Sequence, residues 1–144
     1  MKGCGMTKYE FVYNGREYEL VEDNFSYLLN DEENPVSGID RQDILKLLSQ
    51  TESAGFRIEY YDQPCENCLE GKKEKEKFFK FLEYHFFIFT KQGKYVISNI
   101  SKEYADTSFN KLLKKGTVDN SYVVSIAVCL ECGQYSIEIE QCDI

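Results

Sequence analysis

The stretch Ser121-Tyr-Val-Val-Ser-Ile-Ala-Val-Cys-Leu-Glu-Cys-Gly-Gln-Tyr-Ser-Ile-Glu-Ile-Glu140 sets out the architecture in twenty residues. An apolar run, Ser121–Val128, leads into Cys129-Leu130-Glu131-Cys132, and the chain returns with Ile137 and Ile139 alternating with Ser136, Glu138 and Glu140. Alternation at period two puts one face in a core and the other in water. The stretch therefore reads as a β-hairpin whose turn is a pair of thiols. Gly133, just past the second cysteine, supplies the positive φ that such a turn needs. The turn after the first cysteine aims backbone N–H groups at its sulfur and offsets part of a thiolate's charge.

A second pair, Cys65-Glu66-Asn67-Cys68, has the same spacing. Six cysteines in 144 positions would by chance give roughly 0.2 such pairs. Two pairs point to a shared metal: four thiolates, Cys65, Cys68, Cys129 and Cys132, around one structural Zn²⁺. A catalytic zinc keeps a water position and mixes in His or a carboxylate, which this ligand set does not. The pairs stand 60 residues apart, much farther than in a compact four-cysteine ribbon, so tertiary structure has to bring the two knuckles together. In the first pair Leu69 occupies the place of Gly133, Gly71 follows two residues later, and Pro64 restricts entry to the turn. A thiol–disulfide pair is the competing reading, but it calls for a helix N-terminus in a βαβ setting, and the second pair is bracketed by strands. Iron ligation and idle thiols complete the alternatives. Cys4 and Cys142 read as idle thiols, and His85, inside a strand pattern, as a core or strand residue rather than a ligand.

Outward from the cysteines, Tyr9–Leu20 alternates aromatic and polar residues around Asn14-Gly15, the preferred pair of a type I′ hairpin turn. Asn24–Leu29 reads as a short helix ended by Asp31-Glu32-Glu33 and Pro35. Arg41–Ser49 reads as a helix capped by Asp40, with Ile44, Leu45, Leu47 and Leu48 forming its apolar stripe. Phe56–Tyr61 is a strand leading to the first cysteine pair, and 72–83 is open between helix and strand. His85–Thr90, apolar on both faces, is a central strand that turns through Lys91–Lys94 into Tyr95–Ile100. Thr107 or Ser108 caps a third short helix, through Leu112-Leu113 to Gly116. The expected fold is α+β: antiparallel hairpins with two or three short helices and both knuckles at one edge.

Composition narrows the function classes. The chain is 42% hydrophobic and 15% aromatic with two prolines, which suits a single domain over 1–144 with its own core. Met6 is an alternative start, which would leave residues 1–6 outside the domain. The start shows no apolar run of a signal peptide, and no stretch approaches the roughly 20 apolar residues of a membrane span. The expectation is a soluble cytoplasmic protein with reduced thiols and no membrane partner. Net charge of −8 argues against general affinity for nucleic acid. Charge is uneven, with eight acids against three bases in 1–35 and five lysines against two glutamates from Lys72 to Lys80.

The segments Pro64–Gly71, Phe81–Thr90, Ser108–Leu113 and Cys129–Tyr135 resemble a family of small clostridial proteins with two CxxC pairs and no assigned function. That resemblance covers nearly the whole chain. It implies a bacterial cytoplasmic protein and carries no catalytic residues. With no phosphate-binding glycine loop, HExxH or evident nucleophile–base pair, the leading expectation is a non-enzymatic, zinc-stabilised binding or adaptor protein with a protein partner. The alternative is single-stranded nucleic-acid binding through the aromatics of Phe78–Phe89 beside the lysines. A CxxC thiol oxidoreductase is third.

Overall fold

A computed structural model describes residues 8–51, 54–69 and 78–142. Strands β1 (Tyr9–Tyr13) and β2 (Arg16–Leu20) form a separate two-stranded hairpin. Asn14 (φ 49°) and Gly15 (φ 82°) both take the positive φ of a type I′ turn. The main sheet contains β3 (Phe25–Leu29), β4 (Arg57–Tyr61), β5 (Phe79–Lys91), β6 (Lys94–Ser98), β7 (Asn120–Cys129) and β8 (Tyr135–Cys142). Its order is β3-β8-β7-β5-β4, with β6 also on β5. All pairings are antiparallel except β3–β8.

The 13-residue β5 is the axis of this sheet. β7 pairs with it through ten consecutive positions, Phe81↔Cys129 to Thr90↔Asn120. On its other flank β4 takes Phe79–Glu83, and β6 takes Ile88–Lys91. Of the open stretch, 79–83 is strand, the start of β5, with Phe78 just before it, while 72–77 lies outside the described residues.

Helix α1 (Arg41–Gln50) begins at Asp40, whose carboxylate accepts the Asp43 N–H while the Asp43 carboxylate accepts the Asp40 N–H. This reciprocal box satisfies two otherwise unpaired donors of the first turn. Ile44, Leu45, Leu47 and Leu48 are buried in the core formed with Leu82, Phe86, Val124, Ile126 and Ile137 of the sheet. The β1–β2 hairpin closes the same core, with Phe11 stacked on Phe56 at 4.3 Å. A 3₁₀ turn (Lys102–Asp106), unmarked in the sequence reading, and α2 (Phe109–Lys114) follow β6. Ser108, not Thr107, caps α2 by accepting the Lys111 N–H. Among the described residues no helix is long and apolar enough to cross a membrane.

One expected element has the wrong class. Residues 25–29 form strand β3, not a helix. Phe25 and Leu28 stand three positions apart, a spacing that suits a helix, and a bulge accommodates it in a strand. Phe25 pairs with Tyr135 and Leu28 with Ile137, so three steps along β3 match two along β8 and both side chains face the core. The edge of β8 offers a hydrogen-bonding row that so short a helix cannot match.

Two predictions follow from this packing. Leu48→Ala, a fully buried truncation, is expected to cost about 2–5 kcal/mol in denaturant unfolding. Asp31 accepts the N–H groups of Gln141, Asn34 and Glu33, joining the β3 exit to β8. These bonds, chiefly that from Gln141, hold its carboxyl below the usual range. A depressed folded pKa contributes stability above the unfolded value of about 4 and loses it as pH falls through the folded value. Thermal melts across that window should therefore show a shallower acid dependence for Asp31→Asn than for the parent.

Candidate metal centre

Both β4 and β7 run antiparallel to β5, one on each flank, and so run parallel to each other. β4 ends at Tyr61 opposite Phe79, and β7 ends at Cys129 opposite Phe81. Two chains about 10 Å apart therefore leave the sheet at the same end of β5, and each enters a CxxC turn within four residues. The 60-residue gap is closed by this register.

Across that end the four Sγ atoms of Cys65, Cys68, Cys129 and Cys132 lie within 4.8 Å of one another. The cross-knuckle pairs Cys65–Cys132 and Cys68–Cys129 are each 3.6 Å apart. A disulfide needs about 2.05 Å, whereas a tetrahedron with Zn–S of about 2.3 Å has sulfur–sulfur edges of about 3.8 Å. The two cross-knuckle distances are far from the first value and close to the second, and the cluster is compatible with a metal site. Cys65 and Cys129 are buried, and Cys68 and Cys132 are partly exposed.

The two turns are built alike. Leu69 N–H donates to Cys65 O at 2.9 Å, and Gly133 N–H to Cys129 O at 3.0 Å. The N–H groups of Asn67 and Cys68 face Sγ of Cys65, as those of Glu131 and Cys132 face Sγ of Cys129. Both turns exit through a left-handed residue, Gly133 at φ 80° and Leu69 at φ 52°. The leucine that departs from the glycine pattern is thus forced into the glycine conformation.

Crowding controls the thiols. Burial pushes Cys129 and Cys65 up, against the N–H groups that face them. At Cys132 burial acts the same way, but the Gln134 N–H, the Asn67 amide and the neighbouring cysteines outweigh it and bring the thiol down to about 7. Four thiolates this close repel strongly unless a cation sits among them.

Sequence reasoning missed the side chains that hold the second knuckle. Arg16 donates to Leu130 O at 2.8 Å and to Glu131 O at 2.5 Å, and Tyr18 Oη donates to Leu130 O at 2.7 Å. Asn24 Nδ2 reaches both Glu19 O (2.7 Å) and Gly133 O (3.0 Å). The first hairpin therefore grips the backbone of a turn more than 100 residues later. Nothing in these residue types marks them, because the contacts are to main-chain carbonyls.

The remaining candidates lie elsewhere. Cys142 ends β8 away from the cluster, and Cys4 is outside the described residues. His85 is on β5 as read, yet its side chain is 47% exposed on the face opposite the core. Its Nδ1 meets Ser125 Oγ at 2.8 Å, its Nε2 contacts Glu83, and Tyr61 donates to Glu83. Burial, and then the bond to Glu83, hold the Tyr61 phenol far above its ordinary range. A serine–histidine–carboxylate chain thus exists where no nucleophile–base pair was evident in sequence. Ser125 sits mid-strand between β5 and β8, with neighbouring N–H groups lying in the sheet plane rather than converging above it. An oxyanion needs convergent donors, and the strand N–H groups beside Ser125 do not supply them.

The two knuckle exits make opposite predictions. At Gly133 a Cβ would meet no atom within 4 Å, so Gly133→Ala should lose about 1–2 kcal/mol through φ alone. Leu69→Gly, relieving the same conformation at an exposed side chain, should leave the melting temperature unchanged or raised.

No curated protein and no solved structure matches the chain. The model of one protein family does, along residues 9–144. On that match over nearly its whole length, the chain belongs to the family described as Protein of unknown function (DUF3785).

Proposed function

We propose that this is a zinc-stabilised, non-enzymatic binding or adaptor protein of the cytoplasm, folded as one domain, with Cys65, Cys68, Cys129 and Cys132 holding one structural Zn²⁺. The observation that carries this reading is the gathering of four thiols within 4.8 Å from turns 60 residues apart. Four sulfur donors satisfy the preferred coordination of zinc and leave no position for a reacting water. When bound, the ion neutralises the thiolates and ties the two knuckles together. The residues around it orient the sulfurs: backbone N–H groups on Cys65 and Cys129, the Asn67 amide on Cys132, and Arg16 and Tyr18 behind the second turn.

The other two readings gain less support. For nucleic acid, Phe86 and Phe89 are buried, and Phe81 shares the open sheet face with Glu83 and Glu138. The lysines 72–77 lie outside the described residues. For thiol exchange, Cys132 has the lowered pKa, but its pair is bracketed by β7 and β8 and stands at no helix N-terminus.

Elemental analysis of untagged protein, with thiols counted before and after chelation, tests the proposal. One zinc per chain and four thiols released by chelator are expected. No metal, with all thiols reactive from the outset, overturns it, and thiols missing without metal would favour the redox reading. Because α1 and the sheet make a core independent of the cysteines, chelation or Cys129→Ser should lower the melting temperature and open the knuckles to protease. Far-UV circular dichroism should retain most of its strand signal, unlike a zinc finger that unfolds outright.

A further inference from the structure

The main sheet has two unlike faces. One is sealed by α1 and the β1–β2 hairpin, where Leu82, Val124, Ile126 and Ile137 are fully buried. On the other face, among the described residues, the 3₁₀ turn and α2 cover one end, stacking Tyr104 and Phe109 on Phe89. Over the rest, no described element lies on the row His85–Ser125–Glu138–Leu29, whose members sit opposite one another across four strands. Leu29 is 54% exposed and Tyr27, on the same edge strand, 41%.

The chemistry of this face is specific. Tyr61 and Phe81 stack with centroids 4.5 Å apart, forming an aromatic platform. Beside it Glu83 is fixed by Tyr61 and His85. Glu138 and Glu140 follow on β8. Among the described residues the ion pairs formed are Lys8–Glu10 and Glu83–His85, so no described basic side chain lies within ion-pair distance of Glu138 or Glu140. A phosphate backbone or a second copy of the same face would meet like charge, which is costly. A purely apolar cover would bury unpaired carboxylates. A guanidinium meets both features at once, since it is weakly hydrated, stacks on aromatic rings and forks onto carboxylates. The protein already uses such contacts internally, with Arg16 over Tyr18 at 5.0 Å and Arg41 over Phe25 at 5.5 Å.

We propose that the uncovered face of the main sheet docks an arginine-bearing segment of a partner polypeptide, its guanidinium groups stacking on Tyr61–Phe81 and pairing with Glu83 and Glu138. This rests on the binding-protein reading above and names the chemistry of the partner. The test is fluorescence anisotropy with a labelled peptide of alternating Arg and Ser, its Lys-Ser counterpart and a single-stranded oligonucleotide. Titrations are run at ~0.15 M salt, on protein whose metal content and melting temperature are measured on the same sample. Saturable binding of the arginine peptide, tighter than that of the lysine peptide, is expected. Glu83→Gln/Glu138→Gln should weaken it about tenfold, the order of one lost charge-assisted pair. Glu17→Gln/Glu19→Gln removes equal charge from the exposed face of β2 and should leave affinity within about twofold. Where the Glu83 change lowers the melting temperature, Glu138→Gln alone and amide shift mapping to β5, β7 and β8 decide the matter. Equal weakening by the two double variants, equal binding of the lysine peptide, preference for the oligonucleotide, or no saturable binding by folded protein would each overturn the proposal. Folded, zinc-loaded protein that fails to bind removes the docking face and leaves the metal centre standing. Binding by metal-free protein does the reverse.

Discussion

The register of β5 with its two neighbours is the constraint from which the rest of the molecule follows. Because β4 and β7 are both antiparallel to β5 and stop two positions apart along it, two turns distant in sequence emerge side by side. A slip of one residue in either ladder would move a thiol pair along the strand and turn every core side chain to the wrong face. The ten matched β5–β7 positions, with Val124, Ile126 and Val128 fully buried, make such a slip costly. The hydrophobic pattern thus positions the cysteines before any ion takes part.

The first hairpin adds a second restraint. It stands outside the main sheet, yet Arg16, Tyr18 and, just beyond it, Asn24 hold the carbonyls of the second knuckle. Its apolar side packs on Phe56 and the core, and its donors fix the geometry of the thiol turn. Packing and site are therefore coupled through a small element with both roles.

Much of this was legible in the residues. Asn14-Gly15, the Asp40 cap with its leucine stripe, and the alternation around Cys129 are local signals, and each yields the element it announces. The thiol pairs were equally plain, since spacing alone brings two sulfurs to one turn. What stayed hidden depended on partners far away in the chain. The bulge in β3 imitates a helical repeat, and only β8 reveals it. Arg16 looks like any surface base until its carbonyl acceptors appear 114 and 115 positions later. Ser125 meets His85, itself two residues from Glu83 on the same strand, only through the β5–β7 ladder.

The distance between the knuckles along the chain also orders events in time. The β7–β8 hairpin is local and can close within microseconds, presenting two thiols on a turn already shaped by Gly133. The other two reach it through the long-range pairing of β4 and β7 with β5, a closure of long loops with the entropy cost and slow kinetics that such closure carries. Were the proposed zinc bound, both halves would hold it at once, and its loss would be coupled to the parting of two turns that the β5 register keeps together.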